Sequence, residues 1–227
     1  MAKLPAASCT TCLLHASLCI CALIPRLETR TRLTLMVHFR EARKPSNTGL
    51  LAARCVARST VEVVGKRGTQ RAVHRLGNEL PLLLFPAADA VPIDRYAGSD
   101  VPIALFVPDG NWHQASRMRP HGPGLDGIQC VTLADAGASE YRLRAEPRVG
   151  GLATLEAIAR ALRALEGERG AEIEHAMLSV FRVMVDRTLW FRGKLRDADV
   201  AGGLPSAARE RDPRGAVTRQ TALASLT

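Results

Sequence analysis

Four cysteines crowd the first 25 residues, Cys9, Cys12, Cys19 and Cys21, in a C-x2-C-x6-C-x-C pattern. Zinc takes four soft thiolates in a tetrahedron; a C-x2-C turn offers two sulfurs from one knuckle and the C-x-C pair offers two more. Such a clip is too short for a core of its own, so Zn²⁺ would supply much of its folding free energy. The competing reading makes some of these thiols ordinary core residues, the role expected of Cys55 and Cys130 in their apolar surroundings. Lys3 ahead of the apolar stretch Leu13 to Ile24 has the outline of an export signal, but four Cys and His15 break it. The expectation is therefore a reducing, cytoplasmic setting in which the thiols stay free to bind metal.

A second dense set is Asp109-Gly110-Asn111-Trp112, followed by His113, Gln114 and Arg117. It gathers a carboxylate, an indole, an imidazole and a guanidinium around one turn, enough for acid–base and binding work. The structural alternative is that Asp109 caps a helix and Trp112 is core. His38 and Glu41, then Asn47-Thr48-Gly49, form another polar stretch, in which Asn47 could equally be a helix cap and Gly49 a turn residue. Gly150-Gly151 precedes Thr154-Leu155-Glu156-Ala157 at the start of a helical pattern, whose free N–H groups suit a carboxylate or phosphate. The phosphate-loop, HExxH and G-x-S-x-G patterns do not occur, which removes the usual support for hydrolase readings.

These residues need elements to hold them. Arg32 to His38 reads as a buried strand, and Leu50, Leu51, Ala53 and Val56 as a helical face after the Asn47 turn. Thr60–Val64 and Leu80–Phe85 read as strands, with Pro86 closing the second and a loop-rich connection over Ala87–Pro102. Ile103–Val107 predicts a central strand delivering Asp109 to a helix over about Asn111–Met118. Ile128–Leu133 and Tyr141–Leu143 are further strand candidates, and Thr154–Leu165 and Ala171–Phe191 carry helical apolar spacing. The expected organisation is a zinc-binding segment over 1–25, a catalytic domain over 26–191, and a disordered basic tail over 192–227, with no internal repeat.

At 227 residues and 47% hydrophobic, the chain can bury a core without disulfide staples. No uninterrupted run of ~20 apolar residues is present to cross a bilayer, so no membrane association is expected. A formal charge of +9 suits a partner with a phosphate backbone, while 4% aromatic residues argue against recognition built on stacking platforms. A folded RNA read through shape and phosphates fits better.

Taken in order, the Cys tetrad, His38 with Glu41, Asn47-Thr48-Gly49, Phe85-Pro86, Asp109-Gly110-Asn111-Trp112 with Gln114-Ala115, Tyr141-Arg142-Leu143-Arg144 and Thr154-Leu155-Glu156-Ala157 resemble the DTW-domain family of tRNA-uridine aminocarboxypropyltransferases. The resemblance spans about Cys9 to Met184. It implies an α/β fold of SPOUT type, a mostly parallel sheet flanked by helices and open to a knot in its C-terminal part. It also implies S-adenosylmethionine as co-substrate, Zn²⁺ at the Cys clip and tRNA as partner. The implied reaction moves the 3-amino-3-carboxypropyl group to N3 of a uridine, with loss of the N3 proton and departure of methylthioadenosine. Within that reading Asp109 is the expected base and Trp112 shapes the pocket. Asn47, Thr48, Gly49, Pro86, Gly110, Asn111, Thr154 and Glu156 are the expected cofactor contacts. Two positions depart from the family pattern: Asn111 stands where Thr is usual, and Ala153 where Ser is usual. They keep two alternatives open, a non-catalytic zinc-containing RNA-binding protein and a SPOUT-like RNA methyltransferase.

Overall fold

The computed structural model describes residues 7–66, 68, 72–134, 137–143 and 151–210. Six parallel strands build the sheet: β1 (Arg32–His38), β2 (Ser59–Val64), β3 (Leu80–Leu84), β4 (Val91–Pro92), β5 (Ile103–Asp109) and β6 (Gln129–Thr132). Their spatial order is β2-β1-β5-β3-β6-β4. All seven residues of β5 are buried and five of the seven in β1 are, which is why these central strands read as unbroken apolar runs.

Side-chain alternation gives the sheet two unlike faces. Leu33, Leu35, Val37, Leu82, Leu105 and Val107 point into the larger core, covered by α1 (Thr48–Cys55), α3 (Thr154–Leu165) and α4 (Gly170–Phe191). Met36, Leu83, Phe106 and Cys130 of β6 point the other way, into a smaller cluster completed by Met118 and Leu125 from irregular chain. The chain leaving β1 therefore turns to the helical face, whereas the chain leaving β5 passes through the short helix α2 (Trp112–Ala115) to the opposite face. Because β1 and β5 are adjacent and in register at Val37 and Asp109, their diverging exits open a crevice at the C-terminal edge. Ligands of open α/β sheets bind at such switch points.

Several expectations are corrected. The helix over Asn111–Met118 stops at Ala115, and the chain tightens beyond it: the Arg117 and Met118 N–H groups donate three residues back, to the Gln114 and Ala115 carbonyls. Tyr141–Leu143 is a turn, and the connection over Ala87–Pro102 contains the edge strand β4, where the missing N–H of Pro92 is tolerated. The segment after 192 is packed as far as 210, where α5 (Ser206–Glu210) ends the described chain. Gly193, at φ 68°, takes the left-handed conformation that ends α4 and lets the Lys194 N–H reach the Leu189 carbonyl. The chain then folds back so that Val200, Leu204 and Ala208 pack with Leu18 and Trp190. Residues 211–227, Arg144 and Gly150 lie outside the described residues. Among the described residues no helix is long and apolar enough to cross a membrane.

Candidate active site and metal centre

Asp109, the last residue of β5, is 7% exposed and faces the helical side of the crevice. Its Oδ2 accepts from Asn47 Nδ2 at 2.6 Å and its Oδ1 from Thr154 Oγ1 at 2.5 Å. Asn47 is the N-cap of α1 and its Oδ1 accepts from the Leu50 N–H at 2.7 Å, so the two ends of one amide serve a helix and a carboxylate. Thr154 is the first residue of α3, and Thr48 Oγ1 accepts from the Leu155 N–H at 3.4 Å. One carboxylate thus ties the N-termini of two helices to the end of the central strand. Gly49 makes room for it: a Cβ there would lie 2.9 Å from the Asp109 Cγ. The structure brings Asn47, Gly49, Asp109 and Thr154 together, with Thr48 behind them. Asp109 is not a helix cap; that task falls to Asn47 for α1 and to Asn111 for α2.

Gly110 and Asn111 form the turn into α2. Asn111 Oδ1 accepts from the Gln114 N–H at 2.9 Å while Gln114 Oε1 accepts from the Asn111 backbone N–H at 3.0 Å, a reciprocal capping box that the Thr usual in the family could form equally well. Gly110 fits closely under Gln114, whose Oε1 would lie 2.9 Å from an added Cβ. Trp112 stands beside Phe85 with ring centroids 6.0 Å apart, and Arg119 lies 5.7 Å over Phe85 on its own account. Pro86 is exposed at the end of β3, one strand across from Asp109. Glu156 is fully buried and works as an internal acceptor for Ser139 Oγ, the Glu140 N–H and the Ala153 N–H, all within 2.8 Å. Its carboxylate supplies half of a capping box; Ala153 has no side-chain oxygen for the other half. Glu156 therefore holds loop 139–140 rather than facing the crevice. Tyr141 Oη, donating to the Ser46 carbonyl at 3.0 Å, and the bidentate Arg182–Glu140 pair strap the same loop to α1 and α4. These straps escaped the sequence reading because their partners are far apart in the chain.

The family description "DTW domain" matches residues 6–189. The chain belongs to the DTW domain family. Among curated proteins, this DTW domain is similar to tRNA-uridine aminocarboxypropyltransferase 2 of Drosophila melanogaster, at 28% identity over 166 residues covering 70% of this chain and 66% of the relative. It is similar to tRNA-uridine aminocarboxypropyltransferase A of Arabidopsis thaliana, at 28% over 210 residues covering 78% and 79%. The Macaca fascicularis tRNA-uridine aminocarboxypropyltransferase 2 matches at 28% over 167 residues, with 70% of this chain and 56% of the relative covered. The chain thus spans between about half and four fifths of the relatives it matches. No solved structure matches.

The second site of this DTW domain is the Cys cluster. The sulfurs of Cys9, Cys12, Cys19 and Cys21 all lie within 4.8 Å of one another. The Cys9–Cys21, Cys12–Cys19 and Cys9–Cys19 separations are 3.7, 3.8 and 3.6 Å, close to the ~3.8 Å edge of a tetrahedron with Zn–S bonds of ~2.3 Å. Backbone N–H groups of Cys12 and Thr11 aimed at its sulfur hold the Cys9 thiol well below its ordinary pKa, whereas burial pushes Cys21 up. A divalent cation would resolve that conflict by favouring all four thiolates. Beside the cluster, the guanidinium of Arg187 on α4 is 5% exposed and donates to the Cys19 carbonyl at 2.7 Å and the Gly203 carbonyl at 3.3 Å. Burial lowers its pKa, with the Cys19 and Cys12 sulfurs acting the other way. A Zn(Cys)₄ centre carries two net negative charges, and this buried cation is placed to offset part of them. Cys55 and Cys130 are buried core residues, and desolvation pushes the Cys55 thiol up to about 12.

Proposed function

We propose that this DTW domain transfers the 3-amino-3-carboxypropyl group of S-adenosylmethionine to N3 of a tRNA uridine, in a reducing cytoplasmic setting and with a structural Zn²⁺ at Cys9, Cys12, Cys19 and Cys21. The observation that carries the reading is the Asn47–Asp109–Thr154 tie, which gathers matched family motifs from three parts of the chain at the β1/β5 crevice. The names of the relatives supply the reaction.

The crevice fits the co-substrate in chemical kind. Gly49 and Gly110 let the Asp109 and Gln114 side chains lie close against the backbone at its edge, and the N-terminus of α3 offers N–H groups suited to an amino acid carboxylate. When bound, S-adenosylmethionine supplies an activated carbon whose C–S bond breaks as the N3–C bond forms, releasing methylthioadenosine and the N3 proton. Thr154 and Asn47 are held by Asp109 to face that ligand, so Asp109 acts first as a positioning residue. The role of base expected from the sequence requires Asn47 or Thr154 to give up its hydrogen bond when substrate enters. Trp112 and Phe85 wall the neighbouring rim. Orientation selects the carboxypropyl carbon over the methyl, because only the carbon in line with N3 reacts. A SPOUT-type fold, with a knot in its C-terminal part, belongs to the same reading and is supported by the all-parallel sheet.

The test uses purified protein, unmodified tRNA and S-adenosylmethionine labelled separately in the carboxypropyl and methyl groups. Carboxypropyl label in a tRNA uridine is expected. Methyl label would establish a methyltransferase instead, and tRNA binding with neither label would leave a non-catalytic binding protein.

A further inference from the structure

On the face of the sheet opposite Asp109 lies a cavity of about 500 Å³ at the C-terminal ends of β1 and β2. We propose that this cavity is a second nucleotide site, which takes one base and its phosphate from the RNA substrate while the target uridine enters the β1/β5 crevice. The proposal rests on the transferase reading for the identity of the RNA.

The two sites share a wall. Gln114 lines the cavity and at the same time closes the reciprocal box with Asn111, so the Gly110–Asn111 turn separates crevice from cavity. The floor is apolar, from Met36, Val64 and Met118, which suits the face of a base. Around it stand His38, His74, His113 and His121, four of the six histidines in the chain. Glu62 is the acidic residue of the lining, and it is engaged within the wall: His74 Nε2 lies 3.0 Å from its Oε2, and the Ala72 N–H donates to its Oε1 at 3.3 Å. Burial, aided by Arg40, lowers the His38 pKa, so at neutral pH its ring is uncharged and able to pair with a base edge. Lys66, Arg117 and Arg119 supply positive charge at the mouth, matched to a phosphate. Among the described residues these imidazoles do not converge into a metal-ligating group, which the Cys tetrad does. A base stacked on a mixed apolar and imidazole surface, with its phosphate on arginine and lysine, accounts for the whole lining.

The test is binding of an unmodified tRNA transcript without co-substrate, read by fluorescence anisotropy over a salt series. The double variant Lys66→Glu/Arg117→Glu should weaken binding about tenfold or more and flatten the salt slope by about one to two units, as loss of phosphate contacts does. Affinity for S-adenosylmethionine should stay within about twofold, since phosphate contacts on the RNA carry the effect. Arg95→Glu, an exposed substitution distant from the cavity, is the control. In parallel, a transcript carrying 4-thiouridine is cross-linked to the unaltered protein, and adducts are expected within residues 36–38, 62–66 or 113–121. Control-like affinity of a folded double variant, or adducts confined elsewhere, would overturn the proposal; should the variant not fold, the cross-link positions alone decide. Binding and cross-linking here without group transfer would remove only the transferase reading, whereas transfer with adducts elsewhere would remove only this one. Absence of any tRNA binding would remove both.

Discussion

At Asp109, burial and two donated hydrogen bonds set the cost of any substitution. Asp109→Asn keeps the shape, but its amide must present N–H₂ to one of two groups that now donate. Thr154 can turn its hydroxyl to accept, so the fold survives with two charge-assisted bonds exchanged for weaker ones. The expected loss is about 1–2 kcal/mol in urea unfolding, with weaker co-substrate binding and transfer largely recovered at saturating concentration. Unchanged stability and affinity with no transfer under saturation would return Asp109 to the role of base. The residue itself was legible in the sequence because a carboxylate follows a wholly apolar run at a turn. The family resemblance places Asn47 and Thr154 at the same site, but their bonds to Asp109 were not legible, for they lie 62 and 45 residues away and no local spacing announces a pairing. Glu156 was misjudged for the same reason, since only the fold shows that its oxygens are spent on Ser139, Glu140 and Ala153.

Periodicity carries far at the level of elements and then stops. β1, β5, α3 and α4 are long or wholly buried, so their patterns showed directly; β4 has two residues, and the chain after 192 offers its apolar side chains singly among Gly, Pro and charges. Those single residues nevertheless meet: Val200, Leu204 and Ala208 close over Trp190 and Leu18, and Trp190 Nε1 donates to Asp197 at 2.7 Å. Deletion after Arg192 is therefore expected to cost about 3–6 kcal/mol from lost burial of Val200 and Leu204 and exposure of Trp190. The melting temperature and the Trp emission maximum both report it. The same segment reaches the Cys cluster through Arg187, which spans the Cys19 and Gly203 carbonyls. The deletion should accordingly hasten zinc release to a chelator. A melting curve and release rate equal to the full chain would show the packing to be incidental.

Across the whole molecule, ion pairs fasten parts of the sheet that hydrogen-bonded ladders do not join. Arg32 at the start of β1 and Glu79 just before β3 pair at 2.6 Å across the intervening β5, with Arg58 adding a 3.4 Å contact. The Arg32 hydrogen bond holds the Glu79 carboxyl below its ordinary pKa. A lowered folded-state pKa stabilises the native chain above the unfolded value and ceases to do so as pH falls through the folded value. Glu79→Gln should thus lose stability at pH 7 and show a shallower decline below about pH 4.5, measured by urea unfolding across pH. A decline as steep as that of the unaltered chain would assign the acid limb to other carboxylates. The covering of the sheet has a temporal consequence as well. During synthesis the strands up to β6 leave the ribosome before residues 154–191, the helices that cover Leu33, Leu35, Leu82 and Leu105. At about 5–20 residues per second, the nascent chain carries for seconds an apolar sheet face covered only by α1, and the Cys segment, made before the sheet, must wait for α4, made after it. A ribosome stalled near residue 150 should hold a chain bound by chaperones, and one stalled well beyond residue 210 a chain resistant to protease.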